Sequence, residues 1–125
     1  MNRSRVVTLL VATVGSSACG KDAAAPNGPL TGTWAASNAG RTAEFTLHQS
    51  GQSVTGTGMV TSGPNSATLV ITGSHVPPYV NLMLNPDQNF VAFRFDGRLI
   101  AVDTVTGVFN GSGFVDLGMV FVRRP

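Results

Sequence analysis

Few side chains in this sequence are equipped for chemistry. The 125-residue chain holds one cysteine, Cys19, and two histidines, His48 and His75. A thiol serves as a nucleophile or metal ligand and an imidazole as a general base, but each needs partners that activate it. His48 falls on the polar side of an alternating run, and His75 stands before the Val76-Pro77-Pro78 loop. Neither neighbourhood carries the ligand spacing of a metal site. Asp96, Asp103 and Asp116 fall in or at the ends of expected strands, where spacing alone brings them to no histidine. Arg94 and Asp96 share one strand face and read as a solvated pair. The glycine-rich pieces SGQSVTGTG and NGSGF lack the following helix and lysine that would cradle a phosphate. No metal or other cofactor is expected, and a hydrolytic enzyme is the least favoured functional alternative.

Cys19 offers chemistry of another kind. It ends the apolar stretch LLVATVGSSACG, residues 9–20, which follows Arg3 and Arg5 and includes most of the uncharged run from Val6 to Val14. A charged start, a short apolar core and a small-residue exit make a secretory signal, and the core is shorter than the roughly 20 residues a membrane helix needs. The Ser17-Ala18-Cys19 exit resembles the lipobox of bacterial lipoproteins, with Ser16 standing where that pattern usually has leucine. The resemblance implies loss of residues 1–18, acylation of Cys19 as the new N-terminus, with palmitate among the attached chains, and anchorage in the cell envelope. Gly20 rather than an aspartate follows the cysteine, which implies the outer membrane in an organism that has one. An ordinary signal peptide cut near Ala18 is the alternative.

Removal of the signal changes the charge. The whole chain has eight Lys and Arg against six Asp and Glu; without Arg3 and Arg5, residues 19–125 carry six of each sign. Nucleic acid demands clustered cations, whereas Lys21, Arg41, Arg94 and Arg98 are scattered and only Arg123 and Arg124 adjoin. No nucleic-acid partner is expected. A single cysteine permits no internal disulfide, so the fold must hold by its core. Residues 19–30, ending in GKDAAAPNGPL, are rich in Ala, Gly and Pro and read as a flexible tether. Residues 31–125 then suffice for one domain.

The elements of that domain follow period two. Ala43, Phe45 and Leu47 alternate with Glu44, Thr46 and His48; Val91, Phe93 and Phe95 alternate with Ala92, Arg94 and Asp96; Val115, Leu117, Met119 and Phe121 alternate with Asp116, Gly118, Val120 and Val122. Turn signals stand at Ser50-Gly51, Pro64-Asn65, Pro86-Asp87, Asp96-Gly97 and Asn110-Gly111. Strands are expected over 32–37, 42–49, 53–60, 67–74, 79–84, 89–96, 99–105 and 113–122. Phe45, Leu47, Leu82, Phe93, Phe95, Leu117 and Phe121 are expected inside. Eight short strands with tight turns form an all-β antiparallel meander, and closure into an up-and-down barrel removes its edges. A small β-sandwich is the alternative, with its corner at Pro77-Pro78. Gly56 and Gly58 lie on the inner side of a strand, where they either admit a bulky neighbour or merely thin the core.

The opening LTGTWAASNAGRTAEFTLHQSGQSVTGTG resembles the start of lipocalin-like and avidin-like barrels, the calycin shape. The resemblance implies that Trp34, after Gly32, packs at the closed end of the barrel under an arginine of the last strand, matched here to Arg123. It does not extend to ligand: where the avidin-like pattern has an aromatic, an asparagine, a serine and a tyrosine, this chain has Ala35, Ala36, Gly40 and Gly58. Biotin binding is therefore not expected. The function that remains is a non-catalytic, membrane-anchored envelope lipoprotein whose barrel binds a protein partner or a small apolar ligand, with a small protease-inhibitor-like lipoprotein as a further alternative. Candidate contacts are Trp34, His75, Pro77, Pro78, Tyr79 and Phe90, taken to gather near one loop end.

Overall fold

The computed structural model describes residues 28–125. The signal, Cys19, Lys21 and most of the expected tether lie outside the described residues. Eight strands follow: β1 (Gly32–Asn38), β2 (Arg41–Ser50), β3 (Ser53–Ser62), β4 (Asn65–Val76), β5 (Tyr79–Pro86), β6 (Phe93–Ala101), β7 (Thr104–Gly111) and β8 (Phe114–Arg123). Each pairs antiparallel with the next, and β8 returns to β1 through Trp34↔Arg123 and Ala35↔Val122, so the sheet is a closed barrel. The seam is short, two pairs against seven between β1 and β2, but it closes the ring, and the sandwich alternative falls.

Alternation drives this result. In β2 the expected set Ala43, Phe45 and Leu47 is buried while Glu44, Thr46 and His48 face out. Two hairpins turn on residue pairs with both φ angles positive, Ala39-Gly40 at 53° and 79° and Ser112-Gly113 at 53° and 86°, the handedness that matches twisted strands. Gly56 and Gly58 admit bulky neighbours: a Cβ on Gly58 would lie 2.8 Å from Phe45 Cδ1, and one on Gly56 would lie 3.1 Å from Leu47 Cδ2.

The second half departs from the expected boundaries. Asp96 and Gly97 form no turn; they sit inside β6, with Gly97 opposite Val80 on one side and Gly107 on the other. Both glycines make room for an aromatic ring, since a Cβ on either would stand 2.8 Å from Phe95 Cζ. The turn comes instead at residues 102–103, and β7 continues through Phe109 and Asn110. Val91 precedes β6 and is 67% exposed, while Val115 is 81% exposed. The cause of the latter is a bulge: Asp116 takes φ 44°, and the β7–β8 register slips between Phe109 and Gly111. Asn110 fixes it, its Nδ2 donating to Asp116 Oδ1 at 3.1 Å and its Oδ1 accepting from the Asp116 amide at 2.9 Å. Phe114 consequently turns inward in place of Val115, and Leu117 is partly buried against the core.

All seven phenylalanines of the chain join one aromatic column down the barrel axis. Phe45 stacks on Phe121 at 4.6 Å, and Phe93 and Phe95 meet Phe109 edge-on at 5.3 and 5.7 Å. Such offset and edge contacts suit the ring quadrupole and add to the burial term.

Candidate functional site

The strand order gives the barrel two ends. The entry end carries residues 28–31, the turns at 51–52, 77–78 and 102–103, and the C-terminal residues; the far end carries the turns at 39–40, 63–64 and 112–113 and the 87–92 loop.

Trp34 closes the entry end from inside. It is 1% exposed, its Nε1 donates to the Leu30 carbonyl at 2.8 Å, and the Arg123 guanidinium lies 4.3 Å from its ring centroid. Arg123 also gathers three carbonyls: Nη1 donates to Thr31 O at 2.6 Å, and Nη2 to Pro29 O at 2.9 Å and Val102 O at 3.1 Å. Gly32 permits this, since φ is 140° there and a Cβ would lie 2.9 Å from Arg123 Nη1. These residues form a cap, and the buried indole offers no surface to a partner. Leu30, assigned to the tether from sequence, is fully buried and belongs to the fold.

His75, a candidate contact from its place before the Val76-Pro77-Pro78 loop, is instead fully buried and offers no contact surface. Its Nδ1 bonds Gln49 Oε1 at 3.0 Å, the same oxygen that accepts the Leu30 amide at 2.8 Å. Its Nε2 is buried without a partner, and desolvation holds the imidazole below its ordinary pKa. A neutral histidine thus supports Gln49, which fixes the residue that Trp34 grips. No sequence signal marks this: His75 reads as loop until β4 is seen to extend through Val76.

The remaining candidates do not converge. Tyr79, 57% exposed, stands at the entry end with Pro77, which is exposed, and Pro78, which is half-buried. Phe90 is at the far end, packed against Phe93 and Phe114 with centroids 6.4 and 6.2 Å away. It plugs the bottom of the core rather than presenting a free ring. The expected single aromatic patch is therefore split by the length of the barrel.

Among the described residues the barrel interior is filled by its own side chains. A void of about 10 Å³ lies among Leu30, Trp34, Phe45, Leu82, Phe95 and Phe121. Ligand sites are typically about 300 Å³ or more, so a small apolar ligand has no room inside. Open space lies on the outer wall: a groove of about 640 Å³ runs over β1 and β2 between β8 and β3. Its floor is low because β1 turns Ala35 and Ser37 outward, and its sides are Val120 and Val122 on β8 and Met59 and Thr61 on β3. Arg124 Nε meets Glu44 Oε2 at 3.2 Å at its entry-end rim.

Among the described residues two ion pairs stand on the wall, Arg94–Asp96 along β6 and Arg124–Glu44 between the C-terminal end and β2. Burial alone would raise the Asp96 pKa, but hydrogen bonds from Asn81 at 2.9 Å and Arg94 at 3.1 Å outweigh it and leave the carboxyl below its ordinary value. His48 faces outward on β2. Among the described residues no cluster of three His, Cys, Asp or Glu is placed to hold a metal. No protein-family model, curated protein or solved structure matches this chain, so its own geometry carries the functional reading.

Proposed function

We propose that this chain is an exported, lipid-anchored envelope protein, non-catalytic, whose barrel holds a protein partner in its outer groove. The signal-like stretch before Cys19 supports the anchor, and the closed barrel accords with the calycin-type resemblance of the GTW opening. The observation that carries the binding reading is the contrast between a filled interior, with a void of about 10 Å³, and an outer groove of about 640 Å³. The groove lies beside the β1–β8 seam, where pairing is limited to Trp34↔Arg123 and Ala35↔Val122, and recognition there falls first to the outward side chains. The groove's small floor, apolar sides and charged rim suit an extended polypeptide segment that lays apolar side chains on Ala35 and meets the Glu44–Arg124 pair with polar groups.

Two measurements test this. The mass of the mature N-terminal peptide should be that of an acylated Cys19 followed by Gly20; an unmodified thiol or a retained residue 18 refutes the anchor. A photo-crosslinker placed at Met59, inside the groove, should give a discrete adduct in the envelope that the same probe at Val70 does not give. Equal or absent adducts at both sites refute the groove as a partner site.

A further inference from the structure

We infer that the entry end of the barrel docks directly on a lipid bilayer, inserting the two neighbouring corners that carry Val76, Tyr79, Ile100 and Val102 into the interface. This rests on the lipid anchor at Cys19 proposed above and adds an orientation and a second contact to it.

Four observations converge on this end. The four side chains are 49%, 57%, 51% and 69% exposed, although each is large and apolar or aromatic. They form one rim: the Leu99 amide donates to Pro78 O at 2.8 Å, joining the β4–β5 corner to β6, and Tyr79 stands in register with Arg98. Tyrosine beside aliphatic residues and an arginine is the composition of a membrane interface, where a ring sits at headgroup depth and a cation meets phosphate. The third observation is where the anchored chain enters. A Cβ on Gly28 would lie 4.0 Å from Val102 Cγ2, so the lead-in passes this rim. Gly28 is nine residues after Cys19, a span of at most about 30 Å when fully extended. An acyl chain on Cys19 therefore holds this end near the bilayer and raises its effective concentration there, so that a rim of weak intrinsic affinity suffices.

Charge is the fourth. Arg98, Arg123 and Arg124 lie toward the entry end against Asp103 and the Glu44 that pairs with Arg124, a net positive charge, whereas Asp87 and Asp116 lie at the far end against Arg41, a net negative one. Anionic headgroups attract the first set and repel the second. Exposed apolar side chains also occur at the far end, Val91 and Val115, but beside those carboxylates and away from the anchor. One end thus combines an anchor, an apolar rim and positive charge.

The test uses the lipidated mature protein in vesicles of phosphatidylethanolamine and phosphatidylglycerol. Acylation consumes the one native thiol, so a cysteine introduced by Val102→Cys takes a single nitrobenzoxadiazole label, and Val115→Cys gives the matching far-end probe. Doxyl-labelled lipid should quench the Val102 probe and leave the Val115 probe unaffected. Tyr79→Ser with Ile100→Ser, both at exposed positions, should lower quenching at 102 by about fivefold or more, with Trp34 emission unchanged as the check on folding. Equal quenching at the two ends, or quenching at 102 that survives the double substitution, overturns the proposal. The anchor is tested separately by the N-terminal peptide mass. Should Cys19 prove unmodified, the rim is still read in the Cys19→Ser chain: co-flotation with phosphatidylglycerol vesicles that exceeds that with phosphatidylcholine, and that the double substitution abolishes, supports it. No flotation at high lipid overturns it.

Discussion

The Arg123 guanidinium lies 4.3 Å above the Trp34 ring, and the same two residues stand opposite each other in the only seam that closes the sheet on itself. The contact therefore does two things at once: it covers the end of the core and registers β8 against β1. Arg123 adds hydrogen bonds to the carbonyls of Pro29, Thr31 and Val102, tying the lead-in and the β6–β7 turn to the last strand.

Replacing Arg123 by Met keeps the stem and removes the charge and donors. A cation–ring contact contributes about 0.5–2 kcal/mol and a hydrogen bond from a charged donor about 1.5–3; because several groups are lost together, Arg123→Met should cost about 2–4 kcal/mol. Trp34 is the sole tryptophan, so its emission during urea unfolding reports the change. A midpoint equal to that of the unmodified protein would show the cap to be ornamental.

His75 gives the fold a pH dependence. Its folded pKa is lowered by burial, while the unfolded imidazole titrates near about 6.5. Between those values the unfolded state binds more protons, so stability rises with pH there. It should be full above about pH 6.5 and fall as the solution is acidified below it. Asp96 acts elsewhere: its pKa is below the ordinary carboxylate value, so its contribution is lost only in stronger acid. Urea midpoints measured from neutral to mildly acidic pH should decline for the native chain and stay level for His75→Leu. A decline of equal size in the variant assigns the effect to another group.

Period two made the barrel legible, and with it the inner face of β2, Leu82 of β5 and Phe93 and Phe95 of β6. The first five strands lie within two residues of the sequence reading at each end. What escaped was conformation that contradicts residue type. Asp96-Gly97 has the composition of a hairpin turn, yet Gly97 is there to sit under Phe95; shifting that turn also hid Phe109, one of the most deeply buried side chains. The Asp116 bulge swapped Val115 for Phe114 on the inner face, and nothing local signals a left-handed aspartate until Asn110 is placed across from it. Of the candidate contacts, Tyr79 is exposed as read, whereas Trp34 and His75 are internal and Phe90 belongs to the opposite end. Alternation reports which face a residue takes, not how far along the barrel it stands.

Glycines on this barrel divide by what lies beside them. Gly107→Ala would put a methyl 2.8 Å from Phe95 Cζ and against the backbone of β6, forcing ring and strand apart; overpacking of this kind costs about 1–3 kcal/mol. Gly118 has nothing within 4 Å of an added Cβ. Gly118→Ala should therefore be neutral or stabilising by about 0.4–1 kcal/mol through the unfolded chain. Thermal melts of the two variants should move apart; matched melts would contradict the close packing at Gly107.

The filled interior predicts how an apolar ligand could be made to bind. Phe121 stacks on Phe45 and borders the small void that Trp34 also lines. Phe121→Ala removes a ring from the entry-end half of the column and should cost about 3–5 kcal/mol, the transfer term plus that of the cavity. An apolar cavity of that kind stays dry and accepts benzene-sized molecules. Benzene should then raise the urea midpoint of the variant, because binding to the folded state alone stabilises it, and should perturb the neighbouring Trp34 emission. The native chain, with about 10 Å³ free, should respond to neither measurement. Saturable binding of benzene to the native chain would mean that its core opens, and the assignment of binding to the outer wall would then give way to one inside the barrel.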